Sequence, residues 1–112
     1  MDQEQIGQQR KVYVEALESV AHEISQYMFD WDFSKMMEEF RKVVKKFVPK
    51  GEPNPTRLFC RKYLYTDNQS GNRSYEEVRL HLRNGLILSR DTIGLILRVI
   101  NRLRNDDPEE TK

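Results

Sequence analysis

Residues 89–104, Ser89-Arg-Asp-Thr-Ile-Gly-Leu-Ile-Leu-Arg-Val-Ile-Asn-Arg-Leu-Arg104, decide the architecture. Apolar side chains recur at Ile93, Ile96, Leu97, Ile100 and Leu103, the 3-4 spacing of one helix face. Leu95 and Val99 add apolar positions off that face. A helix that is apolar on more than one side must be covered on two sides, so this segment is expected at the centre of a helical core or at an oligomer interface. Ser89 is placed to cap it by accepting a hydrogen bond from a free backbone N–H, and the helix is expected to run through Arg104.

Working back from it, Ser74-Tyr-Glu-Glu77 has the form of a capping box, in which the hydroxyl caps forward and the carboxylate reaches back. This predicts a helix from Tyr75 to about Asn84 with Tyr75, Val78 and Leu82 inward. Gly85 is placed to end it in a left-handed cap. Residues 67–72, DNQSGN, read as a turn or exposed loop. Residues 57–66, RLFCRKYLYT, follow the helix-start pattern Asn54-Pro55. They fit a short helix with Phe59, Cys60, Tyr63 and Leu64 inward. Their aromatics equally fit a strand, and both readings stand.

In the first half, Tyr13, Leu17, Val20, Ile24 and Tyr27 form one stripe on a helix from about Gln8 to Tyr27, with Ala16, Ala21 and Met28 beside it. Asp30 or Asp32 then caps a second helix with a stripe at Phe33, Met36/Met37, Phe40, Val43/Val44 and Phe47. Its acids, Glu38 and Glu39, come early, and Arg41, Lys42, Lys45 and Lys46 come late, an order that complements the helix macrodipole. Pro49 and Gly51 stop it. The short connection predicts a hairpin of the two helices. The whole is one helical domain over residues 1–112: an all-α bundle of four to five helices, with 49–56 as a connector and 1–7 and 106–112 expected to be flexible.

Composition agrees. The chain has 112 residues, 33% of them charged, with five Gly and four Pro, which fits one domain of helices with solvated faces rather than a turn-rich sandwich. No apolar run approaches the roughly 18 to 20 residues needed to span a bilayer. The start, MDQEQIGQQRK, lacks the basic and apolar order of a secretory signal. With a single cysteine, Cys60, this leads us to expect an intracellular protein, cytoplasmic or nuclear. Asn68-Gln-Ser70 and Asn72-Arg-Ser74 match glycosylation acceptors formally and are read as turn chemistry. The net charge of +1 conceals a division: residues 1–30 carry −4, residues 56–105 carry +6 and residues 106–112 carry −3. Such a division suits internal complementarity or an anionic partner for the second half.

Few residues offer chemistry. His22-Glu23-Ile24-Ser25-Gln26 falls one residue short of the H-E-x-x-H zinc motif, because Gln26 replaces the second imidazole and an amide is a poor zinc ligand. A Cys60–His81 dyad has no local support, and Cys60 reads as a buried structural thiol. The five glycines are scattered and form no phosphate loop. No catalytic residue, metal, cofactor or small-molecule substrate is expected.

Two surfaces remain as candidates. Trp31, Phe33, Met36, Met37 and Phe40 form an aromatic and methionine face suited to a protein partner or to a second copy of the chain. The segment 75–104 has a helix–turn–helix outline, with Arg90, Asp91 and Thr92 at the start of the second helix. Arg79, Arg83, Arg98, Arg102 and Arg104 would be available for phosphates. The expected function is a small non-enzymatic interaction or assembly protein of adaptor or regulatory type, with self-association into a homodimer open to it. The alternative is a nucleic-acid-binding regulator using the arginine edge.

Overall fold

The computed structural model describes residues 3–21, 32–64 and 68–106. Among these are five helices and no strand: α1 (Gln3–Ser19), α2 (Phe33–Phe47), α3 (Pro55–Tyr63), α4 (Asn68–Asn84) and α5 (Arg90–Leu103). The chain is an all-α bundle, as its periodicity predicts.

The last helix is central for the reason its sequence gives. Thr92, Ile93, Gly94, Ile96, Leu97, Val99, Ile100 and Leu103 are all buried on α5, and Ile93, Ile96, Leu97 and Ile100 have no exposed surface. Each fully buried aliphatic side chain of this kind contributes about 1.5–3 kcal/mol, offset by ordering the chain. α1 packs most extensively on α5, and α3 on α4. α2 bridges these pairs by lying against α5, α3 and α1. Its Met36, Met37, Phe40, Val43 and Val44 are buried, and Phe40 meets Phe59 of α3 edge-on, with ring centroids 5.5 Å apart.

Local signals place most of the boundaries. Asp32 caps α2 by accepting from the Lys35 N–H at 2.7 Å. Ser89 caps α5, its Oγ accepting from the Thr92 N–H at 3.3 Å. Gly85 follows α4 with φ +72°, and its N–H reaches the His81 carbonyl at 2.9 Å, the left-handed cap that only glycine adopts without strain. Pro55 opens α3, which settles the 57–66 segment as helix through Tyr63. Asn54 makes no side-chain cap there. Its Nδ2 instead donates to the Tyr75 hydroxyl of α4 at 3.3 Å.

Four expectations are corrected. α4 begins at Asn68, not at Tyr75, so DNQSGN is helical from its second residue. Ser74 lies inside that helix, buried at 3% exposure. Intrinsic propensity is weak beside tertiary packing, and α4 has α3 to pack on. Leu82, expected inward, is exposed. On α1 the buried stripe is Gln9, Tyr13, Ala16 and Val20, while Leu17 is half-buried, so the helix is turned relative to the sequence reading. α1 also starts at Gln3, with Gly7 inside it. Ile24, Tyr27, Met28, Asp30 and the 107–112 tail lie outside the described residues.

Gly94 sits mid-helix in α5 at the α1 contact. A Cβ built there would meet the Val20 Cγ1 at 3.8 Å and the Arg98 Nη1 at 3.9 Å, both ordinary contacts. Glycine in a helix interior costs about 0.5–1 kcal/mol relative to alanine. Gly94→Ala is therefore expected to raise the thermal midpoint by about 3–5 °C. A lowered midpoint in thermal melts would mean that α1 and α5 approach too closely for a methyl group.

Candidate functional site

The face expected to receive a partner is interior. Met36 has no exposed surface, Phe40 is 1% exposed and Met37 is 4% exposed. Phe33 is half-buried, its ring held edge-on between Tyr13 at 6.0 Å and His81 at 5.2 Å. These four residues share one helix face as expected, but α3, α5 and α1 already cover it. Trp31 and the segment from His22 to Gln26 lie outside the described residues.

The arginines separate. Arg79 and Arg83 line an open groove of about 250 Å³ between α3 and α4 with Asn54, Thr56, Tyr75 and Leu82. Arg90 and Arg98 line a second groove, of about 310 Å³, between α1 and α5; Ala16, Ser19, Val20, Asp91, Gly94 and Leu95 complete it. Arg102 is exposed on α5, and Arg104 is its half-buried C-cap. The helix–turn–helix outline exists as α4, a five-residue connection and α5. A recognition helix, however, needs an open face in the major groove. On α5 the exposed residues are Arg90, Asp91, Arg98 and Arg102, and the rest of the helix is buried or half-buried. Thr92, one of the three expected base-reading residues, is 2% exposed.

The residues with chemical potential are held by the fold. Burial pushes the Cys60 thiol from its usual 9.0 up to about 12, keeping it neutral. Burial first, and the Asp32 carboxylate second, push the Tyr13 phenol up to about 12. The His81 Nδ1 is 2.8 Å from the Leu86 carbonyl. An oxygen acceptor at that distance requires Nδ1 to carry the proton and donate. The Gln9 amide, 3.5 Å from the same nitrogen and from the Gly85 carbonyl, is then satisfied at the carbonyl. Among the described residues no group of three His, Cys, Asp or Glu side chains is arranged to hold a metal ion. None of the helices there is long and apolar enough to cross a membrane.

Because folding raises the proton affinity of Cys60 and Tyr13, the folded chain holds protons that the unfolded chain releases above about pH 9. Their contribution is fully present below that pH and is lost as pH climbs toward 12. Urea midpoints are therefore expected to fall steadily from pH 9 to 11, and Cys60→Ala should flatten part of that slope. A midpoint that stays level across this range would show that neither group keeps its proton in the folded state.

Sequence reasoning missed two features. One is the pairing of Arg79 and Arg83 with Asn54 and Thr56, which lie some 25 residues earlier and meet them only through α3–α4 packing. The other is Glu77. Its Oε2 accepts from the Ser89 N–H at 3.1 Å and from the Ser89 Oγ at 2.8 Å. The single Ser89 hydroxyl proton thus goes to the carboxylate, and the Thr92 Oγ1, 3.1 Å away, donates to the Ser89 Oγ. No protein-family model, curated protein or solved structure matches this chain.

Proposed function

We propose that this chain is a non-enzymatic interaction module whose docking surface is the groove between α3 and α4, occupied by an acidic segment of a protein partner. The observation that carries this reading is the chemistry of that groove. Leu82 is 38% exposed and is flanked by Tyr75, Arg79 and Arg83. An apolar anchor point beside arginines and an aromatic is the composition that dominates binding energy at protein interfaces. Arg79 is held by Glu76 at 2.8 Å on an exposed face, a solvent-screened pair easily exchanged for a partner's carboxylate. The neutral Cys60 and the His81 ring committed to Leu86 favour binding over catalysis. A reducing compartment, cytoplasm or nucleus, suits the free thiol.

The test is a photo-crosslinking side chain at position 82, compared with one at exposed position 18 on α1, in the producing cell. A discrete adduct from position 82 only, lost with Arg83→Glu, is the expected result. An adduct of twice the chain's mass identifies the partner as a second copy. Equal labelling from both positions would overturn the reading.

A further inference from the structure

The groove between α3 and α4 brings cations and apolar surface to one small opening. Arg79 and Arg83 stand four residues apart on α4, on one face of that helix, and both line the groove. Leu82, exposed, and Tyr75, half-buried, add apolar surface beside them. Thr56, from α3, adds a hydroxyl donor. The Asn54 Nδ2 bond to the Tyr75 hydroxyl at 3.3 Å ties the two walls together. At about 250 Å³, the opening has room for one substituted ring rather than a length of helix.

The charges in this groove are unevenly compensated. Arg79 holds Glu76 at 2.8 Å, and among the described residues Arg83 pairs with no carboxylate. A partner carboxylate that takes Arg79 from Glu76 exchanges one singly charged group for another and gains little. It also fills only one guanidinium fork. A phosphate monoester carries three terminal oxygens and nearly two charges at neutral pH, enough to meet both forks at once, and the forks match phosphate oxygens in geometry. Neither arginine has to be free beforehand. An exposed, screened pair has only to give way.

The apolar surface decides which monoester fits. On a serine or threonine phosphate the ester carbon is aliphatic and leaves Leu82 and Tyr75 to other residues of the segment. On a tyrosine phosphate the ring and the dianion belong to one side chain. We infer that the acidic segment this groove takes bears a phosphotyrosine, its ring against Leu82 and Tyr75 and its phosphate between Arg79 and Arg83. The inference rests on the docking reading above and narrows its occupant. Arginine clusters are a recurring means of recognising phosphorylated motifs. A nucleic-acid backbone presents diesters of one charge each, so it falls with the singly charged probe in the test.

The experiment titrates the 15N-labelled full chain with phenyl phosphate near pH 7.5 and follows the Nε–H signals of Arg79 and Arg83 by NMR. Two further probes each remove one element. Benzenesulfonate keeps the ring and a tetrahedral group with a single charge; ethyl phosphate keeps the dianion without the ring. Each should bind about fivefold more weakly than phenyl phosphate, the first for want of a charge and the second for want of apolar contact. Arg83→Gln should weaken phenyl phosphate about fivefold. Leu82→Ala should weaken it about threefold and leave ethyl phosphate unchanged. Arg102→Gln, at an exposed position on α5, should change nothing, and thermal melts establish that each variant is folded. In the producing cell, the position-82 adduct should be lost when a tyrosine phosphatase is overproduced. Equal binding of benzenesulfonate or of ethyl phosphate would overturn the inference, as would arginine signals that phenyl phosphate does not move. A position-82 adduct that survives the phosphatase leaves the docking reading standing and overturns the phosphotyrosine one. Absence of any position-82 adduct overturns both.

Discussion

Phe40→Ala is expected to remove about 3–5 kcal/mol of folding stability and to lower the thermal midpoint by roughly 15 °C. Phe40 is 1% exposed and stands edge-on to the fully buried Phe59. Truncation would remove the ring's transfer energy, open a cavity that neighbours on three helices fill only in part, and end an aromatic contact worth about another 0.5–1.5 kcal/mol. A domain of this size has about 5–15 kcal/mol in total, so the variant sits near the edge of folding. The experiment also discriminates between two roles for the residue. A Phe40 that met a partner would give a variant of ordinary stability and weakened assembly. The structure predicts lost stability, read as a lower urea midpoint. Leu58→Ala, at a 38% exposed position on α3, should stay within about 0.5 kcal/mol. Equal midpoints for wild type and Phe40→Ala would remove α2 from the core.

The helices were most legible where two independent signals coincide. α5 combines a two-sided apolar pattern with a Ser89 cap, and α2 combines one clean stripe with the Asp32 cap. Both begin where the sequence places them. α4 was legible only from its middle onward. The Ser74–Glu77 spacing that marks a capping box is also the ordinary i, i+3 spacing within a helix, and local pattern cannot tell the two apart. The candidate surfaces were harder for a related reason. Periodicity shows that Met36, Met37 and Phe40 share a face, and it is silent on whether that face meets another chain or another helix of the same one. Proximity in sequence likewise grouped the arginines of 79–104, whereas the fold deals them to different surfaces. The walls opposite come from Asn54 and Thr56 in one groove and from Ala16 and Ser19 in the other.

Glu77→Ala should cost about 2–3 kcal/mol, a large effect for a half-buried carboxylate on a charged helix. Its Oε2 receives both the Ser89 N–H and the Ser89 hydroxyl, and charge-assisted bonds of this kind contribute about 1.5–3 kcal/mol. Ser89 in turn orders the first turn of α5 through Thr92. Loss of the carboxylate therefore leaves a partly buried N–H unpaired and lets the cap hydroxyl turn away from its working position. The ion pair of Glu77 with Arg73, 3.6 Å apart at an exposed edge, adds little, so Arg73→Ala should be nearly neutral. Glu77→Gln keeps an acceptor oxygen without the charge and should lose about 1 kcal/mol. Ser89→Ala removes the cap, again at about 1 kcal/mol, but leaves the backbone N–H bonded to Glu77. In the double variant the hydroxyl bond is lost only once, so the combined cost should fall short of the sum by about 0.5–1 kcal/mol. Strict additivity in the denaturation cycle would show that the two residues act independently and that α4 does not fix the start of the central helix.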